Sequence, residues 1–179
     1  MFHRVGLVIR DARPDDARAV ADVALEVWPA TYAGLLEDAF IADVLAHTYS
    51  VESLTRLISS APVFLVAERD GGAVGYLHYG SGVHGPELHR LYLRESETGR
   101  GTGRALLAEL NARLEPGDSY VALVHEGNER ALGFYERMGF EPAGRVDGRS
   151  LYLEREGVVP ERDYAAGCDV LVRFVVPGA

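Results

Sequence analysis

The sequence predicts an α/β (α+β) chain, and three stretches carry that prediction. The first is residues 87–115. There a β-favouring run, Glu87 to Leu93, leads through a glycine-rich turn, Thr98 to Gly103, into a helix. Leu88, Leu91 and Leu93 suit a mostly buried strand, and Leu106, Leu107, Leu110 and Leu114 recur at helical spacing from Arg104 onward. The second stretch is another strand-to-helix step, Tyr120–Val124 followed by Asn128–Met138. The third is a hairpin signal, Asp70-Gly71-Gly72, between two strand-like runs.

The remaining elements follow in order. Val5 to Asp11 is apolar and β-branched enough for a first strand. Pro14-Asp15-Asp16 reads as a helix entry, and Ala17, Val20, Ala21, Ala24 and Val27 continue that helix to about Trp28-Pro29. Thr31 to Leu36 reads as a loop, Glu37 to His47 as a second helix, and Ser50-Val51-Glu52-Ser53 as a capping signal for a third holding Leu54, Leu57 and Ile58. Ala61–Glu68 and Ala73–Tyr79 are the hairpin strands, and Gly80–Pro86 is expected to be a flexible loop holding His84. The helix after the glycine turn ends near Glu115-Pro116-Gly117. Asn128 is placed to cap its helix and Gly139 to close it. Phe140–Val146 is a strand, Ser150–Leu153 pairs back on it, 154–167 is an irregular insertion or flap, and Asp169–Val176 is the last strand.

A chain of 179 residues, 47% hydrophobic, has the size and apolar content to bury one core, so a single domain over 1–179 is expected. A net charge of −9 and a pI near 5.1 argue against a nucleic-acid or anionic-membrane partner and suit a cationic substrate. One cysteine, Cys168, excludes an intramolecular disulfide and reads as a small core residue at a strand start. No signal peptide is evident and no apolar run reaches the ~20 residues of a membrane span, so a cytoplasmic protein is expected. The histidines lack paired ligand spacing, so no metal is expected, and the Gly-x-Ser-x-Gly elbow is absent.

The turn itself carries chemistry. Gly99, Gly101 and Gly103 remove the Cβ atoms that would keep a ligand off the backbone. The first N–H groups of the following helix have no intrahelical partner, and the helix dipole adds partial positive charge. Such a turn is a pocket for a phosphate or diphosphate, or else a tight connection whose glycines serve packing. It carries neither the dinucleotide Gly-x-Gly-x-x-Gly spacing nor the Gly-Lys-Ser/Thr of a P-loop.

Together with Asn128, Ala131, Phe134, Tyr135, Gly139 and Phe140, this turn resembles the GNAT superfamily of acyl-CoA-dependent N-acetyltransferases. That family carries Arg/Gln-x-x-Gly-x-Gly/Ala after its fourth strand and Asn-x-x-Ala-x-x-Phe-Tyr-x-x-x-Gly-Phe around its next helix. Gly101 and Gly103 fill the glycine places, while Thr98 stands where the Arg or Gln belongs. The resemblance is strong over about residues 62–142. It implies a mixed, mostly antiparallel, twisted sheet of about seven strands flanked by helices, with strands 4 and 5 parallel and splayed.

The resemblance also implies a cosubstrate, acetyl-CoA. Its diphosphate would lie on Thr98, Gly99, Arg100, Gly101, Thr102, Gly103 and Arg104, with the two arginines adding charge or, alternatively, forming a solvated helix face. The pantetheine arm would bond the backbone around Leu91, Tyr92 and Leu93, with Asn128 and Ala131 nearby. Tyr135 is the expected general acid for the leaving thiolate; the alternative is a core role beside Phe134. Glu87 is the expected base, acting through a water chain; an exposed strand-end acid is the alternative, and His89, His84, His78 and His125 are rival bases. Trp28, Tyr32 and Leu36 look similar to the acceptor half of bacterial spermidine/spermine-type acetyltransferases, so a polyamine-like amine is favoured over a peptide. Acidic residues Glu37, Asp38, Asp43 and Glu87 suit such a cation, and a homodimer is compatible with this reading. Two other readings stand: a silent acyl-CoA sensor of the same fold, kept open by Thr98, and a nucleotide-binding α/β protein.

Overall fold

The computed structural model describes residues 6–147 and 168–178. Seven strands among them form one sheet: β1 (Leu7–Asp11), β2 (Val63–Arg69), β3 (Gly72–Gly82), β4 (Gly85–Leu93), β5 (Ser119–His125), β6 (Glu141–Asp147) and β7 (Cys168–Val175). Their order is β1-β2-β3-β4-β5-β7-β6. Every neighbouring pair runs antiparallel except β4 and β5, which run parallel. The helices are α1 (Ala17–Tyr32), α2 (Asp38–His47), α3 (Val51–Ser60), α4 (Thr102–Asn111) and α5 (Glu129–Arg137).

The sheet is buried on both faces, which is why β2 reads as an unbroken apolar run rather than an alternating one. Phe64 and Val66 face one core, with Val20, Trp28, Phe40, Val44 and Leu54 from α1, α2 and α3. Val63, Leu65 and Ala67 face the other, with Leu106 and Leu110 from α4 and Tyr120 and Val124 from β5. Leu106 and Leu110 are fully buried, and each contributes roughly 1.5–3 kcal/mol. Caps fix two helix starts: Ser50 Oγ accepts from Ser53 N at 3.2 Å, and Asn128 Oδ1 accepts from Ala131 N at 3.1 Å.

Four expectations need correction. The expected loop over 80–86 is mostly strand, because Gly80, Ser81 and Gly82 pair with Glu87, Pro86 and Gly85 across a two-residue turn. Its glycines and polar residues hide the strand; the ladder with β4 supplies it. Helix α1 runs through Pro29 to Tyr32, so Thr31 and Tyr32 are helical rather than loop. Proline removes one N–H, and the acceptor this leaves lies at Leu25, an exposed residue. Helix α4 spans Thr102–Asn111, starting two residues before Arg104 and ending short of Glu115. Strand β5 runs Ser119–His125, one residue beyond each end of the expected Tyr120–Val124. The expected pairing of Ser150–Leu153, the flap over 154–167 and the Cys168 side chain lie outside the described residues.

Candidate active site

Two irregularities coincide in β4. Its parallel ladder with β5 is confined to Glu87 opposite Val121 and Leu88 opposite Ala122. Its antiparallel ladder with β3 passes from Leu88 opposite Tyr79 to Arg90 opposite His78, leaving His89 as an extra residue. A bulge of this kind bends and twists its strand. Beyond it β4 no longer pairs with β5, and a cleft opens between them. The bulge also resets the alternation. Leu91 and Leu93 join Leu88 against the α4–α5 core, while Tyr92 packs against the α1–α3 core.

The glycine turn opens onto this cleft from the end of β4. Gly101 is the N-cap of α4 at φ 81°, a left-handed conformation that glycine adopts without the cost an L side chain would meet. The first intrahelical bond is Ala105 N to Gly101 O at 2.9 Å, so the amides of Thr102, Gly103 and Arg104 precede it. Gly103 sits against the Phe134 ring of α5 and against Leu93. A residue that the sequence did not single out, Glu97, holds the turn. It is buried, accepts from Arg69 Nε and Nη2 at 2.9 and 2.8 Å, and accepts from Thr102 Oγ1 at 2.5 Å. Those Arg69 bonds, with help from Thr102, hold its carboxyl below the ordinary range against the opposing effect of burial. Glu97 lies in a short 3₁₀ turn, Glu95–Glu97, whose polar sequence carries no sign of burial.

The three arginines near the turn differ. Arg100 is half exposed and 3.6 Å from Glu97 Oε1. Arg104 lines a groove with Leu107, Asn111, Met138 and Phe174 further along α4. Arg130, on the first turn of α5, donates from Nη2 to Thr98 Oγ1 and from Nη1 to Glu95 Oε2 at 2.9 Å. On the same helix Tyr135 is buried, with its ring 5.3 Å from Phe134 and 4.8 Å from Phe140. Ala131 is half-buried in the same core, one turn earlier.

On the opposite face of the sheet, aromatic and ionisable residues form a continuous track. Trp28 meets Tyr32, Tyr49 and Tyr92 at ring separations of 4.7, 5.4 and 5.9 Å. The hydroxyls of Tyr32 and Tyr92 lie 2.9 Å apart. Leu36 is buried just beyond, its amide bonded to Tyr32 O at 3.1 Å. Arg90 donates from Nε to Tyr49 Oη at 3.2 Å and from Nη1 to His78 Nδ1 at 2.8 Å. Guanidinium can only donate, so His78 Nδ1 is a lone-pair nitrogen. The His78 ring stacks on His89 at 4.8 Å, and His89 Nδ1 lies 3.3 Å from Glu87 Oε1.

Glu87 is therefore buried, not the exposed strand-end acid offered as its alternative. Gly82 makes this possible, because a Cβ there would collide with the Glu87 carboxylate. Of the rival bases, His89 and His78 share this track. His84 is exposed at the β3–β4 turn, and His125 accepts from Gly127 N at Nδ1, 3.0 Å away. Among the described residues no group of three or more His, Cys, Asp or Glu could hold a metal ion, and no helix is long and apolar enough to cross a membrane.

The arrangement joins three features: a bare-amide turn, a split between parallel strands, and a carboxylate with aromatic neighbours on the far side. That combination can hold a long phosphorylated arm in the split and bring its end to a carboxylate-lined pocket. Known proteins agree with this geometry. Residues 60–142 match the acetyltransferase (GNAT) domain family. The chain is 27% identical over 159 residues to a spermidine N(1)-acetyltransferase of Thermoplasma acidophilum, covering 85% of this chain and 98% of that one. It is 31% identical over 109 residues to the peptidyl-lysine N-acetyltransferase YjaB of Salmonella typhimurium, covering 59% of this chain and 70% of that one. The structure superposes on the crystal structure of the PaiA N-acetyltransferase from Thermoplasma acidophilum in complex with coenzyme A. That match has a TM-score of 0.75 and 24% identity, and it covers 95% of this chain and 99% of that one. By sequence and by architecture, the chain belongs to the GNAT N-acetyltransferase family.

Proposed function

We propose that this protein is an acyl-CoA-dependent N-acetyltransferase that moves an acetyl group from acetyl-CoA to a primary amine by direct attack in a ternary complex. The acceptor is a small polyamine-like molecule in preference to a peptide. The parting of β4 from β5 at Leu88, beside bare amides at Thr102–Arg104, carries the reading. A spermidine-acetylating relative and the net charge of −9 support the acceptor class.

In this mechanism the diphosphate rests on the turn 98–104 and the pantetheine arm follows the backbone of Leu91, Tyr92 and Leu93. Asn128 keeps its capping bond and borders the arm with Ala131. Trp28, Tyr32 and Leu36 wall the acceptor pocket. The amine nitrogen attacks the thioester carbonyl carbon, and a β4 amide donates to the developing oxyanion. Before that attack Glu87, through a water chain, takes the proton whose loss frees the amine lone pair, and water takes the second proton from the nitrogen as the amide forms; His89 Nδ1 lies 3.3 Å from the Glu87 carboxylate. The C–S bond then breaks, and the Tyr135 hydroxyl gives its proton to the leaving thiolate. One domain and a cytoplasmic setting suit this chemistry.

The test is a thiol-release screen with spermidine, aminoglycosides and peptide N-termini. Turnover with spermidine above the others is expected; no polyamine turnover removes the acceptor assignment. Thr98 favours one second reading, an acyl-CoA sensor without turnover. Tight acetyl-CoA binding by calorimetry with no product from any amine would establish that reading instead.

A further inference from the structure

The turn at Thr98–Gly103 lacks the long cationic or amide side chain that its motif places at position 98. Helix amides alone offer only about half a positive charge to a diphosphate. Some side chain must supply the rest if the phosphates are held as tightly as a cosubstrate requires. Arg104, three residues past the N-cap of α4, lines the groove with Asn111, Met138 and Phe174. Arg100, half exposed and 3.6 Å from Glu97 Oε1, can add its charge to the turn, but Arg130 is the arginine that bonds Thr98, the position the motif leaves short.

The geometry points to Arg130 as the phosphate-binding cation of the turn. It reaches across from α5 and is seated by the Thr98 hydroxyl where a longer residue at 98 would otherwise project. This assignment rests on the proposal that acetyl-CoA binds at the turn. Three observations support it. Arg130 Nη2 donates to Thr98 Oγ1, which fixes the guanidinium at the vacant motif position while leaving its charge intact. Arg130 and its ion-pair partner Glu95 are 61% and 79% exposed, so their 2.9 Å contact is weak and readily exchanged for a phosphate. A guanidinium also presents five N–H donors in a planar fork, so donors remain for a phosphate while one bonds Thr98. Thr98 then marks a relocation of the charge from β4's end to α5, with no loss of it.

Calorimetry of acetyl-CoA with the intact protein and three variants tests this, with thermal unfolding as the folding control. Arg130→Gln is expected to weaken binding about tenfold at low salt, the scale of one charge-assisted contact, with the difference shrinking at high salt. Glu95→Gln, which frees the guanidinium, is expected to tighten binding about twofold to threefold. Thr98→Arg combined with Arg130→Gln is expected to recover most of the lost affinity. Wild-type affinity in Arg130→Gln would overturn the assignment. So would weakening by Glu95→Gln, because the Glu95–Arg130 pair would then serve only to hold the loop. A wild-type protein that fails to bind acetyl-CoA at all would remove the parent proposal along with this one.

Discussion

Tyr135 is packed in the core and is also the residue proposed as general acid. Its ring is wedged between Phe134 and Phe140, so removing the hydroxyl leaves the packing in place. Tyr135→Phe should therefore lower turnover by about 10²-fold or more while leaving acetyl-CoA affinity nearly unchanged, as expected for loss of a general acid. Steady-state kinetics beside calorimetry checks this, and an unaltered rate would refute the role. The Asn128 cap, the Gly101 turn and the place of Tyr135 on α5 were legible in the sequence because their spacing is local. Glu87 was legible as a residue but not as a buried one. What buries it is Gly82 across the hairpin, and a register between strands leaves no mark in either strand alone. The contact between Arg130 and Thr98 left no mark for the same reason: the two lie 32 residues apart.

At the scale of the element, α4 is aimed by what precedes it. Glu97 ties the end of β2, through Arg69, to the first residue of α4, through Thr102. Its carboxyl is held below its ordinary value of 4.5, so it is charged in the folded protein across the neutral range. A lowered folded-state value gives stability that is whole above the ordinary value and fades as pH falls through the lowered one. Glu97→Gln should cost roughly 2–4 kcal/mol at neutral pH, and the deficit should narrow on acidification below about pH 4. Urea unfolding at several pH values measures both, and a deficit independent of pH would count against the buried ion pair. Helix α1 shows why element ends are hard to read. Proline normally stops a helix, yet Pro29 lies within α1, and the acceptor it leaves without an N–H belongs to Leu25, on an exposed side of the helix. Segment 80–86 errs in the opposite direction, since glycine-rich polar sequence became strand once β4 lay beside it.

For the molecule as a whole, the sheet is two antiparallel halves, β1 to β4 and β5 to β6, joined by two residue pairs. A ligand lying in the split would join what the backbone leaves apart. Acetyl-CoA at 100 times its Kd should add about 2.7 kcal/mol of stability. The gain should appear as slowed amide exchange in Leu91–Leu93 and Leu123–His125 more than in β1 and β2. Uniform slowing, or none, would speak against occupancy of the split. The alternating order of strands and helices was legible from periodicity; the split was expected only through the family resemblance, because in the chain itself it depends on one surplus residue. His89 is that surplus. Leu88 and Arg90 already face consecutive residues, Tyr79 and His78, on β3. Excising His89 would thus leave every other neighbour in β4 on its present side of the sheet. The shortened chain should keep its fold, at a cost in stability because buried Glu87 and His78 lose their His89 neighbour, and should lose acetyl-CoA binding by about tenfold or more, since an unbroken zipper between β4 and β5 would shut the opening. Here a deletion spares the alternation of the strand while taking away the opening that the ligand needs.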